Sequence, residues 1–235
     1  MPKLFANCCM HARLDALTGH TPAAPQMLHF VERAKSIIAI GFLAIVATAK
    51  AGIDLTPAPT EYISEGIKYQ KLTFREDQQR VEYDPPPGWS FRGSADRLQL
   101  APTKKRFAEA LIEAVPLAGP QPLDEKVGKA LEQQFISSLP FGSQFVMVVS
   151  EEHNPVLLDG SPTFEVTVAY QLIGEKFLKS ALFVILPDTQ LIFRLVARKD
   201  DFEALHSDFK RSILSWHRVE PKRSTQEAVP RRLVN

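Results

Sequence analysis

PTFEVTVAYQL, residues 162–172, and FVILPDTQLIFRLVARKDDFEALHSDFKRSILSW, residues 183–216, decide the fold of this chain. In the first stretch Phe164, Val166, Val168, Tyr170 and Leu172 alternate with Glu165, Thr167 and Gln171, the period of a strand with two unlike faces. Phe177 to Leu186 and Leu191 to Ala197 are two further apolar runs joined through Pro187-Asp188-Thr189, which reads as a hairpin. From Asp200 to His217 the period changes. Phe202, Leu205, Phe209, Ile213 and Trp216 fall on one stripe of an amphipathic helix, with Asp200 and Asp201 capping its start and Lys210 and Arg211 nearer its end.

Working toward the N-terminus, Phe145 to Val149 reads as a buried strand and Glu151 to Asp159 as a polar loop. Leu123, Val127, Ala130, Leu131, Phe135 and Ile136 recur at helical spacing opposite charged residues, so Leu123 to Leu139 is a second amphipathic helix. The segment from Phe107 to Val115 suits helix by its Ala, Leu and Glu content and strand by its run of apolar residues; strand fits its neighbours. Short strands are expected around Leu72 and Phe74, Val81 and Tyr83, Trp89 and Phe91, and Leu98 and Leu100. Pro85-Pro86-Pro87-Gly88 must be a turn or an edge crossing, because three prolines supply no ladder donors. Locally connected strands with two amphipathic helices give an α+β domain over residues 66–217, a central antiparallel sheet flanked by helices.

The front of the chain carries a different signal. Arg33-Ala34-Lys35 precedes SIIAIGFLAIVATA, residues 36–49. Fourteen residues of helix span roughly 21 Å, short of a hydrocarbon core of about 30 Å. A basic flank, a short apolar run and a small-residue exit are the parts of a secretory signal peptide, residues 27–51, with Ala49 and Ala51 as candidate cleavage positions. A buried core helix is the competing reading. Residues 1–26 lack periodicity, and Met27 opens a well-proportioned basic region, so residues 1–26 are expected to be an over-called start, with translation beginning at Met27, or a disordered leader. Residues 52–65 read as a linker and 218–235 as a basic, disordered tail.

Of the 235 residues 45% are hydrophobic and the net charge is +1, so no global field recruits nucleic acid. Residues 1–51 hold five basic and two acidic side chains, which leaves 23 and 25 beyond them and a net charge of −2. The two cysteines, Cys8 and Cys9, precede the apolar run, so the exported chain has no thiol and no lipid-bearing cysteine at its head.

The order and spacing of Pro87-Gly88-Trp89, the helix LDEKVGKALEQQF at residues 123–135 and the closing strands and helix resemble the PsbP-like fold family. That family includes photosystem II extrinsic proteins, a eukaryotic Ran-release factor and bacterial envelope proteins. The resemblance covers roughly residues 66–217 and implies an α/β/α sandwich. It transfers no function, because members bind unrelated partners.

No nucleophile elbow, phosphate loop or H-E-x-x-H pattern is present in the sequence, and no catalytic, cofactor or metal residue is assigned. Three features remain. Glu151, Glu152, His153 and Asp159 fall in one polar stretch that could hold a cation or serve a hydrolase, against the plainer reading of a solvated hairpin end. Arg92 and Arg97, with Lys104, Lys105 and Arg106, gather positive charge near Trp89, whose turn is expected to be exposed; a solvated strand end is the plainer reading here too. His206 and His217 share a helical face but stand too far apart for one metal. The leading expectation is an exported, periplasmic or secreted, non-enzymatic binding or accessory protein. Its partner is a protein or small molecule, with no cofactor, no nucleic acid, and membrane contact only through residues 36–49. The alternatives are a hydrolase or metal-dependent enzyme using residues 151–159, and an assembly factor anchored by an uncleaved 36–49 segment.

Overall fold

The computed structural model describes residues 52–77 and 79–219. The candidate leader with Ala49 and Ala51, and residues 220–235, lie outside them. Among the described residues no helix is long and apolar enough to cross a membrane.

Two antiparallel sheets and two helices make the domain. The large sheet has seven strands: β4 (Trp89–Ser94), β5 (Arg97–Pro102), β6 (Glu109–Pro116), β7 (Gln144–His153), β8 (Thr163–Leu172), β9 (Glu175–Ile185) and β10 (Thr189–Arg198). Their order is β4-β5-β6-β10-β9-β8-β7: two meanders joined where β10 pairs with β6. The small sheet is β1 (Ile53–Ser64), β2 (Ile67–Glu76), β3 (Gln79–Tyr83) and β11 (His217–Val219), in the order β1-β2-β3-β11. Helix α1 runs Glu125–Ser137 and α2 Lys199–Ile213.

The strand alternation read from the sequence sorts side chains onto the two faces of the large sheet. Phe164, Val166, Val168, Ala181, Phe183 and Ile192 meet Leu131 and Phe135 of α1 on one face. Leu182, Val184, Leu191, Phe193, Leu195 and Ala197 meet Phe202, Leu205, Phe209 and Ile213 of α2, together with the small sheet, on the other. Trp216, just beyond α2, joins the two sheets: its ring lies 5.5 Å from Phe74, 5.9 Å from Tyr83 and 5.4 Å from Phe193.

Several boundaries differ from the expectation, each for a local reason. Residues 53–64, read as linker, form β1, because Ile53 and Leu55 are buried; the prolines at 57 and 59 are accommodated on an edge strand with a register shift between Asp54 and Ala58. The tail begins with β11, where Arg218 and Val219 pair with β3 and the Arg218 guanidinium grips Glu76 and, at 2.8 Å, Asp159. Helix α2 stops at Ile213, so His217 is a strand residue, and Asp200 and Asp201 lie inside the first turn while Arg198 holds the cap position without a side-chain bond. In α1 Asp124 does cap, its carboxylate accepting from the Val127 amide at 2.8 Å. The segment 109–116 is strand.

Candidate functional site

Strand β7 ends the large sheet, and the sequence predicts that Phe145 to Val149 within it are buried. Phe145, Val146, Met147 and Val149 are instead exposed, and Val148 alone of that run packs into the α1 core. The reason is coverage. Helix α1 lies on one face, while α2 lies over β9 and β10 on the other and leaves the start of β7 bare. Two register shifts, between Gln144 and Met147 and between Val148 and Ser150, kink this edge. Phe145 occupies the first with φ of +52° and is 80% exposed.

The result is a groove of about 520 Å³. Phe145, Met147 and Val149 form one wall, and Ala169 of β8 and Leu178 of β9 are among the residues lining it. Lys176 and Lys199, the first residue of α2, also border it. Its chemistry is apolar contact with two ammonium groups at hand. A volume in this range matches sites for small ligands.

Beyond the groove on the same face, Glu165 is buried against α2. Its carboxylate meets His206 Nε2 and Lys210 Nζ, each at 2.7 Å. Burial pushes the carboxyl up, but the hydrogen bonds from His206 and Lys210 outweigh it and hold the group below the ordinary carboxylate value. Nothing in the sequence marked Glu165 beyond its place in an alternating run.

Of the residues singled out from the sequence, Glu151 and His153 line one cleft beside α1, and the others lie apart. Trp89 is 7% exposed and stacks on Phe209 at 6.3 Å, so its expected exposed turn does not present the ring and it closes the core. Arg92 donates to Gln99, and Arg97 pairs with Glu113 at 3.0 Å on exposed strand surface. Glu151, Glu152 and His153 belong to the end of β7, not to a loop. Glu151 accepts from Lys129 at 2.7 Å, and the bonds that the Lys129 ammonium donates to Glu151 and then to Glu132 push that amine up to about 12. His153 lies 5.0 Å from the Phe164 ring, facing α1. Asp159 turns away to Arg218 and the small sheet. Among the described residues no three His, Cys, Asp or Glu side chains are grouped to hold a metal ion.

Comparison with known proteins finds no matching family model and no matching curated protein. Solved structures do match. A Pseudomonas aeruginosa protein of unknown function is 15% identical, covers 70% of this chain and 97% of its own, and has a TM-score of 0.38. LpqN of Mycobacterium tuberculosis, involved in cell envelope biogenesis, is 14% identical over 70% of this chain and 92% of its own, with a TM-score of 0.44. The third is a cyanobacterial PsbP, from Synechocystis. It is 14% identical, covers 76% of this chain and 98% of its own, and has a TM-score of 0.44. A PsbP thus stands among them, the family that the closing strands and helix resemble. Identities and scores this low carry no conclusion about activity.

Proposed function

We propose that this chain is an exported, non-enzymatic binding protein of the cell envelope, and that its groove holds the acyl chain of an anionic amphiphile. The observation that carries the reading is the groove itself: Phe145, Met147 and Val149 exposed side by side, with Lys176 and Lys199 on its border. Apolar residues that a fold leaves bare beside a concavity mark a place where something else binds. The two ammonium groups favour a carboxylate or phosphate head. Export is supported by the leader pattern at residues 27–51. The register shifts along β7 argue against a peptide strand adding to this edge, since bulges interrupt the ladder a partner strand would need. Glu151 and His153 line one open cleft with Glu125 and Lys129, but Asp159, the third residue of the hydrolase reading, pairs with Arg218 by β11 and takes no part in it.

Displacement of a fluorescent fatty acid by saturated carboxylates of eight to sixteen carbons tests the reading. Each buried methylene contributes about 0.8 kcal/mol, so shortening the chain by two carbons weakens binding roughly tenfold or more while the groove remains filled. Met147→Asp abolishes binding, and Lys176→Glu with Lys199→Glu weakens carboxylates but not the matching alcohols. Affinity independent of chain length, or unchanged by Met147→Asp, rules the reading out.

A further inference from the structure

The end of the large sheet where β7 starts and β8 turns into β9 carries three apolar side chains that folding does not ask for. Pro140 to Ser143 is a tight turn closed by the Ser143 amide on the Pro140 carbonyl at 3.1 Å, with Gly142 at φ of +86°. This geometry places Phe141 at the apex, fully exposed. The β8–β9 hairpin turns through Ile173 and Gly174, between the paired residues Leu172 and Glu175, at φ of +51° and +79°. Both central residues are left-handed, the geometry that favours Asn, Asp or Gly and penalises a β-branched side chain. Ile173 is 94% exposed, so no packing offsets that strain. The same turn geometry recurs between β1 and β2, where a polar residue, Glu65, precedes Gly66. Gln144 pairs with Gln171, so Phe141 and Ile173 project from the same end, with the strained Phe145 next to Gln144 in β7.

We propose that this end of the domain docks on an anionic lipid bilayer, with Phe141, Ile173 and Phe145 entering the interface. A rigid protein partner needs on the order of 800 Å² of matched surface, whereas isolated apolar tips bury fully in a fluid phase without one. Lys176 and Lys199 face the same end and match an anionic surface. The opposing charges there are Glu175, held by Arg198 at 3.6 Å, and Asp200 and Asp201 in the first turn of α2, the latter paired with Lys105 at 2.6 Å. The contact is distinct from any made by residues 36–49, and it uses Phe141 and Ile173, which the acyl-chain groove does not.

The test introduces an indole at the apex with Phe141→Trp in the full chain and reads its quenching by lipids brominated along the acyl chain. The native Trp89 and Trp216 are buried and provide a constant background. Quenching reports that residue's own depth, however the rest of the chain is held. The expected result is a blue shift and bromolipid quenching in vesicles of phosphatidylcholine with phosphatidylglycerol, much reduced in phosphatidylcholine alone. Adding Ile173→Asn or Lys176→Glu removes most of it. No quenching in either vesicle overturns the proposal, and so does quenching indifferent to Ile173→Asn. A blue shift without lipid, in a chain that elutes as a dimer, also overturns it in favour of self-association. Met147→Asp, which empties the groove, leaves the quenching unchanged, so the two readings fail separately.

Discussion

Glu165→Gln is the sharpest test of how α2 is held to the sheet. The glutamate is 6% exposed, and its carboxylate makes two short bonds, with His206 and Lys210 of α2. Bonds of this kind contribute about 1.5–3 kcal/mol each when intact. Gln keeps the shape and one acceptor but loses the charge. His206 and Lys210 retain some exposure and can turn toward water, so the loss at pH 7 comes to about 2 kcal/mol. For a domain of this size that lowers Tm by roughly 4–8 °C. The pH dependence follows from the depressed carboxyl. A group whose folded pKa lies below its unfolded value, ordinarily about 4.3, stabilises above that value and loses its contribution as pH falls through the folded one. Urea denaturation at pH 7, 5 and 3.5, followed by tryptophan emission, should therefore show the wild-type advantage shrinking toward the acid end, where the Gln variant has no matching carboxylate to protonate. A difference under about 0.5 kcal/mol at pH 7, or one that persists undiminished at pH 3.5, refutes the argument.

Ile173→Asn places a residue tolerant of the left-handed region at the β8–β9 turn and should raise stability by about 1 kcal/mol, a Tm gain of roughly 2–4 °C by thermal melt, even as it removes bilayer docking. A lower Tm would show that the backbone there is unstrained. Lys179, whose ammonium donates to the Ser138 carbonyl at 3.3 Å beyond the end of α1, is pushed down to about 8 by burial and then by the nearby Arg194 charge. Between pH 8 and the ordinary lysine value the unfolded chain binds the extra proton, so stability rises with pH across that window, and Lys179→Met should flatten the rise. Denaturation at pH 8 and pH 10 measures it; an equal rise in both proteins contradicts the assignment.

Much of the architecture was legible because alternation and helical spacing report faces directly. Leu72 with Phe74, Val81 with Tyr83 and Phe164 with Val166 were assigned to strands from period alone, and all are buried. The stripes Leu131–Phe135 and Phe202–Leu205–Phe209 likewise locate the two layers on either side of the large sheet. Composition was a poorer guide. Prolines and small residues disguised β1, whose burial rests on Ile53 and Leu55. The second sheet was not legible either, because it is closed by His217–Val219 returning to β3 from more than a hundred residues away, and no local pattern encodes that pairing. The groove stayed hidden for a related reason. An apolar run such as Phe145 to Val149 looks the same whether a helix covers it or not, and coverage depends on where α2 lands. Exposed apolar residues at Phe141 and Ile173 were readable as letters but not as tips, since the turns that project them depend on backbone angles.

The early start of β1 sets an order of events. From Ala49 to Ile53 the chain can reach roughly 14 Å at most, and Ile53 and Leu55 are already buried, with the Leu55 amide bonded to the Ala95 carbonyl at 2.9 Å. A peptidase that cuts after Ala49 or Ala51 needs the residues on both sides of the bond drawn out in its cleft. Once β1 has docked there is no slack to give. Under the proposed export, trimming would therefore come before collapse, and a molecule that folded too quickly on emerging would keep its leader.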